Sequence, residues 1–212
     1  MSHMKKFGLW LLKHNIHIMT LIFLGWTVWA VFNWDSLALV QKLVLGMYAW
    51  LVLHEYEEGY KDRFFDLMAG RLLQIDFKSL TPGRAHVGVA VYITVVFSLA
   101  LLFPNLLWLT FAVLILGIFE GFVHNMGIFL FQLRSVSPGW YTAMLMAAYA
   151  IWTIVVVNRN IDYQGIQWLW GTLAFIAGFI CLQLSVHFLL GSTPRKSFAK
   201  AKAFLKNRFE KH

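Results

Sequence analysis

Residues 36–60 read "SLALVQKLVLGMYAWLVLHEYEEGY", an apolar run that ends in one histidine and three glutamates. About 20 apolar helical residues span the hydrocarbon core of a bilayer, which is about 30 Å thick. The run over 36–56 has this length and therefore predicts a transmembrane helix. Ionisable side chains are costly beside hydrocarbon, so the cluster at its end indicates a partner or a function.

The whole chain has the composition of an integral membrane protein. Of its 212 residues, 59% are hydrophobic, 17% are aromatic and 13% are charged, whereas about 25% of residues are charged in a soluble domain. No Ser-, Pro- or Gly-rich linker divides the chain, so we expect a single domain over 1–212. The only cysteine, Cys181, excludes an intramolecular disulfide.

Apolar segments of spanning length predict an all-α bundle of six transmembrane helices. They cover about 15–33, 36–56, 86–103, 106–131, 139–157 and 166–190. The first run has no small-x-small cleavage site, so we expect it to be retained as a span.

The basic residues predict the orientation of these helices. Six spans place both termini on one side, and only Lys42 and Arg159 of the 18 lysines and arginines fall on the other side. The positive-inside rule then makes both termini cytoplasmic, in a bacterial inner membrane. This topology explains the net charge of +8 better than nucleic-acid binding does.

Two segments outside the spans predict interfacial helices. Residues 61–77 place apolar side chains at helical spacing among charges. Residues 193–212 follow the cap signal "STP" and form a basic amphipathic pattern, for which we expect the anionic inner leaflet as partner. A solvated charged tail is the alternative.

Histidines and glutamates of several spans fall at one depth. Span four runs inward, so Glu120 lies about 20 Å below the outer surface and His124 about 6 Å deeper. Span two brings His54, Glu57 and Glu58 to its inner end, and span six brings His187 to a similar level. The predicted site therefore lies in the inner leaflet.

Helical spacing places several of these side chains on common faces. His54 and Glu58 are four residues apart, and so are Glu120 and His124. Helix bundles build metal sites from such carboxylate and imidazole pairs, which suit zinc, iron or manganese. The predicted metal ligands are His54, Glu57, Glu58, Glu120, His124 and His187. A proton-sharing polar cluster is the alternative.

Glu55 points about 100° away from His54, so we expect it to face the headgroups.

At these residues the sequence resembles the HXXEE family of small bacterial membrane proteins. "HEYEE" at 54–58 carries the signature, and "GFVHNMGIFLFQLRSVSPGW" at 121–140 is similar to that family's second, histidine-bearing region. The resemblance covers roughly 40–160 and implies a helical membrane fold with a metal or catalytic centre. Ile128 stands where the family often has a further histidine, so Glu120 or Asn125 would substitute.

We expect a membrane-embedded metal-dependent enzyme that acts on a lipid-like, prenyl or acyl substrate. One or two zinc or iron ions would activate a water for hydrolysis, or with iron would oxidise the chain. Glu57 or Glu58 would serve as the general base. The sequence disfavours a zincin-like protease, because Glu58 replaces the second histidine of HExxH. A metal or proton transporter and a non-catalytic lipid-binding protein are the alternatives.

Overall fold

The computed structural model describes residues 3–59, 67, 86–131, 133–189 and 193–210, and these residues contain helices and no strand. The helices are α1 (His3–Phe32), α2 (Leu39–Gly59), α3 (His86–Leu102), α4 (Leu107–Phe131), α5 (Trp140–Asn160), α6 (Ile166–Leu189) and α7 (Pro194–Phe209). A short 3₁₀ helix, Trp34–Ser36, connects α1 to α2. The prediction of an all-α bundle is confirmed.

Four of the described helices are long and apolar enough to cross a membrane. They are α1 over Lys6–Phe32, all of α4, all of α5, and α6 over Ile166–Ser185. Helix α3 is apolar but has 17 residues, and α2 has 21 residues but carries the charged cluster at its end. Helix α1 begins at His3, well before the predicted start at 15.

The outer surface of the bundle is apolar. Large hydrophobic side chains are exposed on α1 and α6, among them Leu21, Val31, Phe32 (83% exposed), Trp170 and Ile180. Soluble monomers rarely expose contiguous apolar patches larger than a few hundred Å². This surface suits a bundle surrounded by lipid.

Helix α4 lies at the centre of the bundle, between α5 and α6, and α2 packs against α5, α1 and α3. Met47 and Tyr48 of α2, Phe97 of α3, Leu114 of α4 and Met146 of α5 are completely buried where these helices meet. This core fixes α2, α4 and α5 relative to one another, and these helices carry or flank the predicted site.

The structure describes only part of the predicted interfacial segments. Residues 61–77 lie outside the described residues, apart from Leu67. Helix α7 begins as the "STP" signal predicts, because the Thr193 side chain accepts a hydrogen bond from the Lys196 backbone N–H over 3.4 Å. The ring of Phe204 on α7 lies 5.8 Å from that of Phe131 on α4, so this part of α7 contacts the bundle.

We predict that Gly121→Leu destabilises the bundle. A Cβ at Gly121 would lie 2.8 Å from Cβ of Ala147 on α5, closer than real contacts allow. Small residues permit such close approach of membrane helices, and overpacking costs about 1–3 kcal/mol. Thermal unfolding in detergent should show a lower midpoint. Gly25→Leu is the control, since a Cβ there meets nothing within 4 Å; equal midpoints for both variants would contradict the prediction.

Candidate metal centre

Two residues of α2 and two of α4 bring their ligand atoms together. His54 and Glu58 come from α2, Glu120 and His124 from α4, and one ligand atom of each lies within 4.8 Å of all the others. We call these four residues the His/Glu group. The side chains of His54, Glu58 and His124 are buried, and that of Glu120 is 22% exposed. This buried group could hold a metal ion.

Both imidazoles direct Nε2 towards the two carboxylates. Nε2 of His54 lies 3.4 Å from Oε1 of Glu58 and 3.8 Å from Oε2 of Glu120. Nε2 of His124 lies 2.7 Å from Oε1 of Glu58 and 4.0 Å from Oε2 of Glu120. The two rings lie edge to face, with centroids 5.0 Å apart.

These separations are close to those of a four-coordinate metal site. Zinc binds His nitrogen and carboxylate oxygen at about 2.0–2.2 Å, so neighbouring ligands of a tetrahedron lie about 3.3–3.6 Å apart. Three of the four measured pairs, at 3.4, 3.8 and 4.0 Å, are within a few tenths of an ångström of this range. The His124–Glu58 pair is shorter, and it must open for both atoms to bind one ion.

The other ring nitrogen of each histidine contacts the chain that enters α5. Nδ1 of His54 lies 3.2 Å from the carbonyl oxygen of Gly139 and 3.0 Å from Oγ1 of Thr142. Nδ1 of His124 lies 2.9 Å from Oγ of Ser137. A carbonyl oxygen only accepts, so Nδ1 of His54 carries the hydrogen. Nε2 of a neutral His54 is then the atom with a free lone pair, as a metal ligand requires.

Gly139 lets residues 137–142 approach the His/Glu group. Its φ is +84°, in the left-handed region that favours glycine. A Cβ at this position would lie 2.5 Å from Cγ of Glu58, 2.9 Å from Cε1 of His124 and 3.0 Å from Cε1 of His54. Only a residue without a side chain therefore fits above the two imidazoles.

Sequence analysis missed Ser137, Gly139 and Thr142. The signal that would have found them is the break "SVSPG" at 135–139, which lies at the predicted inner end of the spans beside the ionisable residues. Small and polar residues at such a break can direct backbone and hydroxyl groups into a neighbouring site.

Two of the six predicted ligands lie outside the group. The carboxylate of Glu57 accepts hydrogen bonds from the backbone N–H and the hydroxyl of Thr142, over 2.9 and 2.5 Å. His187 is half-buried in the last turn of α6. The structure therefore brings together His54, Glu58, Glu120 and His124 but not Glu57 or His187.

Glu120 and Asn125 are the two residues suggested to replace the further histidine of the HXXEE family, and only one of them belongs to the His/Glu group. Glu120 belongs to the His/Glu group. Asn125 instead donates to the carbonyl oxygen of Gly121 and accepts from the indole N–H of Trp140, over 2.8 and 3.1 Å. Glu120 is thus the substitute that the geometry supports.

The expectation that Glu55 faces the headgroups is wrong. Glu55 is 3% exposed, and its Oε2 lies 3.8 Å from Nδ1 of His86 on α3. Helix α2 is covered by α1, α3, α4 and α5 at once, so a side chain rotated away from one partner helix meets another.

No lysine or arginine of the described ranges forms an ion pair with the two carboxylates of the group. Among the described residues, histidines are the only basic side chains within 4.0 Å of Glu58 or Glu120. Like charges this close, in an environment of low dielectric constant, require a proton or a cation between them. The group can therefore share protons or bind a metal.

A cavity of about 650 Å³ lies beside the group. Its lining includes Glu57 and Ser137, which contact Thr142 and His124 respectively, and the apolar side chains of Leu133, Val136 and Pro138. A ligand in this cavity would be separated from His124 by the thickness of one side chain.

We predict that Gly139→Ala disrupts this arrangement. The new Cβ would clash with Glu58 and both imidazoles, and a left-handed conformation costs a non-glycine residue about 1–2 kcal/mol. The unfolding midpoint should fall in thermal scans of the purified protein. Gly165→Ala is the control, because nothing lies within 4 Å of its Cβ and its φ is not positive. A midpoint unchanged in both variants would contradict the described approach of residues 137–142.

None of the protein-family models matches this chain, and neither does any curated protein or any solved structure. The resemblance to the HXXEE family stays a prediction that rests on 54–58 and 121–140. The chemistry of the His/Glu group is therefore the basis on which a function can be assigned.

Proposed function

We propose that this chain is a membrane-embedded metal-dependent enzyme whose centre is the His/Glu group. One observation carries the proposal: two Nε2 atoms and two carboxylates converge on one point, while both Nδ1 atoms contact residues 137–142. A divalent ion would balance the two carboxylates in this buried place. Zinc, iron and manganese all accept imidazole with carboxylate ligands.

The four side chains differ in burial, and this difference separates three metal ligands from a fourth residue, Glu120. His54, His124 and Glu58 are buried, whereas Glu120 is the most exposed and lies 3.8–4.0 Å from both Nε2 atoms. Two histidines and one carboxylate with an open position are the ligand set of catalytic zinc and of non-haem iron. When bound, zinc would lower the pKa of a coordinated water, and iron would support oxygen chemistry.

Glu120 is the general base in this proposal, in place of Glu57 or Glu58. The oxygens of Glu57 are occupied by Thr142 and Tyr141. Glu58 lies closer to the two imidazoles, at 3.4 and 2.7 Å, than Glu120 does, at 3.8 and 4.0 Å, and Glu58 is also the more buried of the two. In hydrolysis, Glu120 would take a proton from water as the water oxygen bonds to the carbonyl carbon. It would return that proton to the alcohol or amine as the bond to the leaving group breaks.

An amphiphilic substrate fits the surroundings of the group. The neighbouring cavity combines the Glu57 carboxylate and the Ser137 hydroxyl with apolar side chains, and the outer surface of the bundle is apolar. A lipid-like ester or amide, or a substrate with a prenyl or acyl chain, presents both a polar and an apolar surface. With iron, the hydrocarbon part of the same substrate would be oxidised.

Transport of a metal ion or proton is less well supported. On the side of the group away from residues 137–142, the side chains of Met47, Leu114 and Met146 are completely buried and apolar. A path across the bilayer needs polar side chains or water along its length. We therefore propose chemistry at the group and not passage through it.

Six spans with cytoplasmic termini remain our proposal for the topology in the inner membrane. Helices α2 and α3 have 21 and 17 residues, which correspond to about 32 and 26 Å at 1.5 Å per residue. Both lengths are near the bilayer core of about 30 Å. With the four candidate spans they make six, and the basic residues orient them.

The orientation is tested by labelling single cysteines. In a Cys181→Ser background, Asn160→Cys should react with a membrane-impermeant maleimide in intact spheroplasts. Lys202→Cys should react only after permeabilisation, because α7 follows the sixth span. Labelling of both positions from the same side would contradict the six-span topology.

The metal is tested by elemental analysis. Protein purified without chelator should contain about one zinc, iron or manganese ion per chain, or take it up on reconstitution. His54→Ala and His124→Ala should lose the ion, because each removes a buried nitrogen ligand. His14→Ala is the control, since His14 lies outside the His/Glu group. Wild-type protein that binds none of these metals would show the group to be a proton-sharing network, and the proposal would be wrong.

A further inference from the structure

We infer that Glu57 is a positioning residue, which fixes the His54 ring for metal binding through the hydroxyl of Thr142. This inference rests on the proposed function, and it assigns a role to a carboxylate that contacts neither imidazole.

Glu57 supplies the cap that the start of α5 lacks. The first backbone N–H groups of a helix have no partner within the helix, and the N-cap residue Gly139 makes no side-chain cap. Glu57, on α2, accepts from the backbone N–H of Thr142 over 2.9 Å and lies 3.4 Å from that of Tyr141. A carboxylate here is also stabilised by the positive end of the helix dipole.

The same carboxylate sets the direction of the next hydrogen bond. The Thr142 hydroxyl has one hydrogen, and its oxygen lies 2.5 Å from Oε2 of Glu57. An ionised carboxylate only accepts, so the hydroxyl donates to Glu57 and its lone pairs face Nδ1 of His54, 3.0 Å away. Together with the Gly139 carbonyl oxygen, which Nδ1 also contacts, the chain of contacts from Glu57 through Thr142 to His54 places the hydrogen on Nδ1.

This chain leaves Nε2 of His54 as the ligand atom. Nε2 lies on the side of Glu58 and Glu120, at 3.4 and 3.8 Å. A carboxylate behind a ligating imidazole fixes the ring and its tautomer and makes it a stronger ligand. His124 has a different support, because its Nδ1 contacts the hydroxyl of Ser137, which is also 3.4 Å from the His124 carbonyl oxygen. The charged support acts on His54.

The test measures metal affinity in matched variants of the full-length protein. We expect Thr142→Val and Glu57→Ala to weaken Co²⁺ binding about 10–100-fold, the usual effect of losing such a support. Thr142→Ser keeps the hydroxyl and should bind within about twofold of wild type. Thr172→Val is the control, because the Thr172 hydroxyl contacts only the Trp168 carbonyl of its own helix in the described structure.

A readout on metal-free protein separates the two proposals. With ¹⁵N-labelled histidine, neutral His54 should appear as the Nδ1–H tautomer in wild type and Thr142→Ser, and the share of that tautomer should fall in Thr142→Val, where the Gly139 carbonyl is the acceptor that remains. Failure of wild-type protein to bind Co²⁺ would count against the metal centre alone. Unchanged tautomer and affinity in Thr142→Val, or a Thr142→Ser variant as weak as Thr142→Val, would overturn the role of Glu57. Thr142→Val carries the test if Glu57→Ala does not fold.

Discussion

The constraint on which this centre depends is the buried carboxylate of Glu58 lying beside the partly exposed carboxylate of Glu120. Ligand atoms of Glu58 and Glu120 lie within 4.8 Å of each other. At an effective dielectric constant of 20, two like unit charges 4 Å apart repel by about 4 kcal/mol. The bundle brings no lysine or arginine of the described residues within 4.0 Å to relieve this repulsion. The bundle places two imidazoles beside the carboxylates instead, and these can share a proton with them or bind a metal ion together with them.

One glycine connects this electrostatic requirement to the start of α5. Residues 137–142 must come close enough to contact both Nδ1 atoms, and at Gly139 a Cβ would meet Glu58 and both rings. Glycine solves the steric problem but removes the side chain that would cap α5. Glu57 takes that place from α2. The motif residues His54, Glu57 and Glu58 thus serve one centre in different ways, although they are neighbours in sequence.

The sequence predicts the helices well because the length of an apolar run is a property of one segment. It also predicts the pairs His54–Glu58 and Glu120–His124, since a spacing of four residues fixes a common face. The burial of Glu55 and the position of Glu57 outside the His/Glu group were not predicted, because both depend on which neighbour each face of α2 meets. Because α2 packs against four other helices, helical spacing alone does not show which of its faces is exposed. The contribution of residues 137–142 was hidden for another reason, since it comes partly from a backbone carbonyl that any residue possesses.

The depth of the centre follows from this use of the backbone. Within a membrane helix, the N–H groups are committed to the helix itself. At the start of a helix the first N–H groups are free, and here Thr142 offers its N–H to Glu57. The carbonyl oxygen of Gly139 accepts from the Ala143 N–H and also contacts Nδ1 of His54. In the proposed six-span topology, a centre built at the start of α5 lies close to the headgroups. The substrate of the proposed enzyme would then carry its reactive bond near the polar end of the molecule, with its apolar chain in the bilayer.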